Sequence, residues 1–291
     1  MLAAADIKLS HSVFALPFAV LGAFAAREAG SSWGRFGGQL ALVVVCMVCA
    51  RTWAMLFNRL VDAGFDADNP RTKGRAVASG RLSRPRAWAM AWGAAGAFMV
   101  GCGAFLVLFD NPWPLILGGP VLAWLALYSL AKRFTALCHV LLGTALAISP
   151  VAAGLAVEPA RALSATHLLV AGFVTLWVAG FDILYALQDE GFDKRAGLRS
   201  IPAALGAAAS AWVARGLHAG ASACLLALGL GVDARLGALT LVAWALATAL
   251  LIVEHVVLVR RGLAGLPLAF FTLNGVLSLV VGGLGVADLL A

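Results

Sequence analysis

Asn58-Arg-Leu-Val-Asp62-Ala-Gly-Phe-Asp66 closes one long apolar segment, and Tyr185-Ala-Leu-Gln-Asp189-Glu-Gly-Phe-Asp193 closes another. Each stretch puts a polar residue and two carboxylates at i, i+4 and i+8, with Gly-Phe before the last Asp. On a helix that spacing lines three side chains along one face. Corresponding positions are 127 residues apart throughout, and the interval holds four apolar spans. The chain therefore reads as a pseudo-repeat of a four-helix unit whose two acidic ends face a shared central cavity.

The solvent around those segments is lipid. Of 291 residues, 62% are hydrophobic and 12% charged, and the mean hydropathy is +0.95. Apolar runs of about 17 residues or more mark spanning helices. Nine are predicted, near 8–27, 38–58, 86–109, 113–131, 134–157, 164–187, 203–230, 235–259 and 266–290. Asp110-Asn-Pro-Trp-Pro114 supplies the turn between the third and fourth. The expected fold is an all-α polytopic membrane protein, nine transmembrane helices around a central cavity, in a single domain over 1–291. Met1 to Asp6 carries no basic n-region, so the first span reads as retained rather than cleaved.

Charge sets the expected topology. With the N-terminus and the loops after the even spans on one side, that side holds 15 of the 21 Lys and Arg residues. The positive-inside rule then places the N-terminus and both acidic clusters in the cytoplasm. The net charge of +7 is a topology signal. It does not indicate nucleic-acid binding, because no soluble basic domain exists. Cys46 and Cys49 form a CxxC inside an apolar span with no partner pair, and read as packing residues.

Seven of the 14 acids fall in or beside the clusters: Asp62, Asp66, Asp68, Asp182, Asp189, Glu190 and Asp193. A carboxylate at the bilayer centre costs roughly 2.5–3.5 kcal/mol, and less near the interface. Solvated interfacial loops are the bland alternative, and the duplicated spacing argues against it. Bound cations would relieve the repulsion, and carboxylate oxygen is a ligand type that Mg²⁺ prefers. Bases follow each cluster: Arg71, Lys73 and Arg75 after the first, Lys194, Arg195 and Arg199 after the second. Acid followed by base suits a diphosphate, with metal on some oxygens and Arg or Lys on others. Lys132 and Arg133, four and five residues after Tyr128, lie on the same side. His139, His167, His218 and His255 form no metal-spacing set and read as packing or interhelical hydrogen-bonding residues.

At these residues the chain resembles the UbiA family of intramembrane aromatic prenyltransferases. Asn58, Asp62 and Asp66 match the family's first motif, and Arg71, Thr72 and Arg75 match the Arg-Thr-x-x-Arg that follows it. Tyr185, Ala186, Asp189 and Asp193 match the second motif. Tyr128, Lys132 and Arg133 match a stretch between the two. Phe181-Asp182 and the opening Lys8-Leu-x-His11-x-x-Phe14-Ala-Leu-Pro17 look most like the 4-hydroxybenzoate polyprenyltransferase branch. Asn69-Pro70-Arg71-Thr72 and Gln188-Asp189 are similar to its menaquinone-forming, futalosine-route members. Two departures stand out: Arg59 replaces a second acid, and Ala76-Val-Ala78 replaces a Pro-Leu-Pro.

The resemblance implies transfer of a polyprenyl group from polyprenyl diphosphate to an aromatic acid, 4-hydroxybenzoate or a dihydroxynaphthoate, in ubiquinone or menaquinone synthesis. It implies Mg²⁺ on Asp62, Asp66, Asp189 and Asp193, the catalytic acids. Asn58, Arg71, Arg75, Lys194 and Arg199 are candidates for the diphosphate; Tyr128, Lys132, Arg133 and Tyr185 are candidates for the acceptor. The expected location is the lipid bilayer of a bacterial inner membrane. The competing expectation is a transporter or cation channel with a paired-carboxylate site. Its weakness is that the acids sit at span ends on one side.

Overall fold

The computed structural model describes residues 14–291, and among them every regular element is helical. Among the described residues, eight helical stretches are long and apolar enough to cross a membrane. The first predicted span survives as a shorter helix, α1 (Leu16–Ala26), with Pro17 in its opening turn. The rest of that span, with Lys8 and His11, lies outside the described residues, so the count of nine is not reached here.

Next come α2 (Trp33–Val61), α3 (Ala63–Asp68), α4 (Arg84–Phe109), α5 (Trp113–Leu130) and α6 (Cys138–Val157). They are followed by α7 (Ala165–Ala186), α8 (Glu190–Ala196), α9 (Ile201–Ala227), α10 (Ala238–Arg261) and α11 (Asn274–Leu290). Several ends differ from the hydropathy reading because caps and turns, not apolarity, decide them. Helix α2 begins at Trp33, where the Ser32 hydroxyl accepts from Arg35 N at 3.2 Å. At 29 residues it is about 43 Å long, so it projects beyond a hydrocarbon layer of about 30 Å. Helix α6 starts late, because the chain first tightens into a 3₁₀ turn at Ala131–Arg133. The predicted turn after α4 is made by Asp110 at φ 57° and by Asn111, whose amide donates to Leu155 O at 2.8 Å.

Pro120 and Pro150 sit inside α5 and α6 without ending them. The clear interior break is Gly206 of α9, at φ 77° and ψ 171°, one turn after that helix starts.

Close approach of backbones replaces large-residue packing at several crossings, as expected between helices in lipid. A side chain at Gly22 of α1 would strike the Pro150 backbone of α6, and one at Gly143 of α6 would strike the Thr175 backbone of α7. Helix α7 is the most enclosed, and its Trp177 is fully buried. Trp177 stacks on Phe173 at 5.7 Å and meets Phe181 edge-on at 5.2 Å. Phe181 in turn lies 5.3 Å from Phe270, and Phe270 lies 4.2 Å from Tyr185. An aromatic column thus runs from the core to the second acidic cluster. Outward faces carry bare aliphatic side chains such as Val100 and Val107, a surface matched to lipid rather than water.

Candidate active site

Both acidic clusters are built on the same local device. Helix α2 ends at Val61, Asp62 has φ −90° and ψ 1°, and short helix α3 restarts behind it. Helix α7 ends at Ala186, a 3₁₀ turn covers Leu187–Asp189, Asp189 has φ −103° and ψ 0°, and α8 restarts behind it. Each first Asp is therefore the joint between a span and a short helix, and each second Asp sits one turn into that helix. The 127-residue spacing is repeated as backbone geometry. Gly197, at φ 68°, closes α8.

The two joints border one cavity of about 220 Å³. Asn58, Arg71, Arg75, Tyr128, Lys132, Tyr185 and the four aspartates all line it. Asp62 is 1% exposed and Asp66 5%. Carboxylates so buried need partners, and the bases supply them. Lys132 Nζ lies 2.7 Å from Asp62 Oδ2, and Arg133 Nη2 lies 3.3 Å from Asp62 Oδ1. One nitrogen of Arg75 donates to both oxygens of Asp66, at 2.7 and 2.9 Å.

The pairing crosses between the halves at Arg71. Its Nε donates to Asp189 Oδ1 at 2.9 Å and its Nη2 pairs with Asp189 Oδ2. Asn69 adds a donor to the same Oδ1 at 3.1 Å. Burial opposes the charge on Arg71, but the bonds and attraction to Asp189 outweigh it and raise the guanidinium above its ordinary pKa. The remaining acid, Asp193, accepts from Ser200 Oγ at 2.9 Å.

The second cluster's own bases point elsewhere. Lys194 pairs with Glu190 at 2.7 Å, one helical turn away. Arg199 Nη1 donates to Phe134 O at 2.9 Å. Arg133 sits at the rim, with Nη2 also on Val61 O at 2.6 Å. The unusual Arg59 donates to Asn58 Oδ1 at 2.9 Å, so a base engages that amide oxygen while Asn58 Nδ2 donates to Asp62 Oδ2 at 3.2 Å.

Asn69, Ser200 and His139 are among the wall residues outside the sequence-derived set. Asn69 had a turn signal in the following Pro70. Ser200 had a helix-start signal in Ile201-Pro202, and its hydroxyl both holds Asp193 and accepts from Ala203 N at 3.2 Å. His139 had none: its Nδ1 lies 2.7 Å from Asp182 Oδ2, and its Nε2 accepts from Ile201 N at 3.3 Å. A nitrogen that accepts carries no proton, so Nδ1–H is the donor to Asp182. Among the described residues no three His, Cys, Asp or Glu side chains gather into one ligand cluster.

Comparison with known proteins agrees with this architecture. The chain is similar to a UbiA homologue from Aeropyrum pernix K1, with 29% identity and a TM-score of 0.84 over 96% of this chain and 98% of that one. A UbiA homologue from Archaeoglobus fulgidus, solved bound to GPP and Mg²⁺, superposes with a TM-score of 0.73 over the full length of both chains at 17% identity. The 4-hydroxybenzoate octaprenyltransferase of Azotobacter vinelandii is 30% identical over 168 residues, which are 57% of this chain and 55% of that protein. That of Stutzerimonas stutzeri is 30% identical over 162 residues, covering 56% and 52%. The chain thus spans about half the length of the curated relatives it matches. The sequence pattern of the UbiA prenyltransferase family matches residues 15–281, nearly the whole chain. With eight membrane-length helices among its described residues and paired acidic joints around one cavity, this integral membrane protein belongs to the UbiA prenyltransferase family.

Proposed function

We infer that the chain transfers a polyprenyl group from polyprenyl diphosphate to an aromatic acid, 4-hydroxybenzoate or a dihydroxynaphthoate, as a single-domain enzyme of ubiquinone or menaquinone synthesis. The observation that carries this reading is the convergence of four aspartates, Arg71, Arg75 and Lys132 on one cavity beside an aromatic column. The names of the bacterial relatives, 4-hydroxybenzoate octaprenyltransferases, support the reaction class.

The donor set fits Mg²⁺, which takes one or two carboxylates together with phosphate oxygens and water. A cluster of three protein ligands is therefore not required. Asp62, Asp66, Asp189 and Asp193 would hold it; the use of such an ion is supported by the A. fulgidus homologue solved with GPP and Mg²⁺. An ion held there would supply positive charge to diphosphate oxygens and to the leaving group.

The chain's own residues do the rest. Arg71 and Arg75 now answer carboxylates, and can turn to phosphate oxygens as negative charge grows on the departing diphosphate. Arg133, Lys194 and Arg199, each engaged nearby, serve as rim contacts. Asn58 orients Asp62. The allylic C–O bond breaks and its electron pair leaves with the diphosphate. A ring carbon of the acceptor then adds to the cation, and the ring loses a proton. Tyr128, Lys132, Arg133 and Tyr185 position the acceptor. Tyr185, Phe270 and Phe181 offer ring faces that stabilise the cation and keep water from it. The positive-inside count supports a cytoplasmic N-terminus and cytoplasmic site loops, in a bacterial inner membrane.

The test is to incubate membranes containing the chain with one polyprenyl diphosphate, Mg²⁺ and a panel of aromatic acids, and read products by mass spectrometry. A prenylated 4-hydroxybenzoate, or a prenylated naphthol lacking carboxylate, is expected. Cation flux with no product from any acid would contradict it.

A further inference from the structure

A second cavity, separate from the one at the acidic joints, lies between α9 and α10. It encloses about 700 Å³ and is lined by Arg215, His218, Ser222, Thr248, His255 and Arg260 among others. None of these residues borders the candidate active site.

Its charge is one-sided. Arg215 is half-buried inside a membrane-length helix, and Arg260 is in the last turn of α10. Among the described residues neither forms a salt bridge with an acidic side chain. The Arg215 guanidinium lies 4.4 Å over the Trp212 ring, which orients it but does not neutralise it. Glu254, the sole acid in the α10 sequence, is 2% exposed and turned to Asn274, whose Nδ2 donates to it at 3.2 Å. An arginine inside a span without a counter-ion is costly, so Arg215, with the exposed Arg260 at the end of α10 on the same groove, calls for an anion from outside the chain.

The groove's other groups narrow the chemistry. Ser222 and Thr248 satisfy each other at 2.8 Å, and Trp244 Nε1 donates to Ser222 at 2.9 Å. Those hydroxyls thus already have protein partners. Ile252, Val256 and Val259 line the wall and are largely exposed. His218 Nε2 lies 3.3 Å from Trp177 O, which can only accept, so this nitrogen carries the proton. Nδ1 of His218 then accepts from His255 Nε2 at 3.0 Å. In neutral His255 this leaves Nδ1 as an acceptor for a hydroxyl.

We propose that this groove binds one anionic glycerophospholipid. Its phosphate bridges Arg215 and Arg260, a head-group hydroxyl reaches His255, and an acyl chain lies along Val256 and Ile252. Basic pockets between spanning helices are suited to such head groups, and the aliphatic wall excludes a purely aqueous anion.

Native mass spectrometry of the full chain in detergent tests this, with phosphatidylglycerol and phosphatidylcholine of identical chains as probes. The expected result is one phosphatidylglycerol retained with a preference of roughly tenfold or more, and loss of that preference in Arg215→Gln/Arg260→Gln. Equal retention of the two lipids, or an unchanged preference in the double variant, overturns the proposal. Displacement of the lipid by millimolar inorganic phosphate also overturns it, in favour of a free-phosphate site. Should the double variant not fold, Ile252→Trp fills the groove with both charges kept. Loss of phosphatidylglycerol retention is then expected, and undiminished retention contradicts the assignment.

Discussion

The guanidinium of Arg71, in the loop after the first acidic cluster, grips both carboxylate oxygens of Asp189 in the second, 118 residues away. Its Nη1 also reaches the Tyr185 hydroxyl at 3.3 Å. One side chain thus ties the two halves together at the point where the proposed diphosphate would lie. Arg71→Ala is expected to lower kcat/KM for the prenyl diphosphate by about 10²–10³, the usual cost of one charge-stabilising donor. The companion Asp189→Asn and the double variant complete a cycle. Coupling between the two sites in thermal unfolding measures the clamp itself.

Ser200 serves two structures at once, the N-terminus of α9 and the carboxylate of Asp193. Ser200→Ala should cost about 1 kcal/mol through the lost cap and also reduce prenyl transfer. Ser200→Asp can keep the cap but sets a second negative charge beside Asp193. Stability near wild type with activity still reduced is the expected outcome, read by thermal unfolding and turnover on the same preparation.

Much of this was legible in the sequence, and the failures have physical causes. Hydropathy found the spans, because lipid demands long apolar helices. It missed several of their ends, because the Ser32 cap and the 3₁₀ turn at Ala131–Arg133 set helix limits by local hydrogen bonding, whereas the end at Asp110 was marked by its turn residues. Period-four spacing found both acidic joints. The sequence placed bases after each cluster but did not say which carboxylate each one meets. Arg75 meets Asp66 of its own cluster, Lys194 and Arg199 turn away from the cavity, and Arg71 crosses to the other half. Pairing across a bundle depends on which helix ends meet, and nothing local encodes it. The contact of His139 with Asp182, 43 residues apart, is hidden for the same reason.

Helix crossings at glycine give a sharp contrast in stability. Gly22→Ala would drive a methyl into the Pro150 backbone, whereas nothing lies within 4 Å of a side chain added at Gly96 of α4. The first should cost about 1–3 kcal/mol by overpacking. The second should be neutral or stabilising by up to about 1 kcal/mol. Thermal unfolding in detergent compares the two directly.

Acid sensitivity should localise in part to the turn between α9 and α10. Burial opposes ionisation of Asp233, but its bonds to Arg235, at 2.8 Å from Nη2, outweigh it and hold the carboxyl below the ordinary range. A depressed folded pKa stabilises above the unfolded value, about 3.9. That contribution is lost as pH falls through the folded pKa. Asp233→Asn should therefore lower thermal stability at neutral pH and narrow its gap to wild type as pH drops below about 4. A gap that stays constant from pH 7 to 3 contradicts the assignment.

The central claim is that the two acidic joints act together on one diphosphate. Mg²⁺-dependent prenyl transfer, measured with Asp62→Ala and Asp189→Ala proteins shown to be folded by their elution and thermal unfolding, tests it most directly. The account predicts that either substitution alone abolishes product formation. Full activity in either folded variant would contradict it.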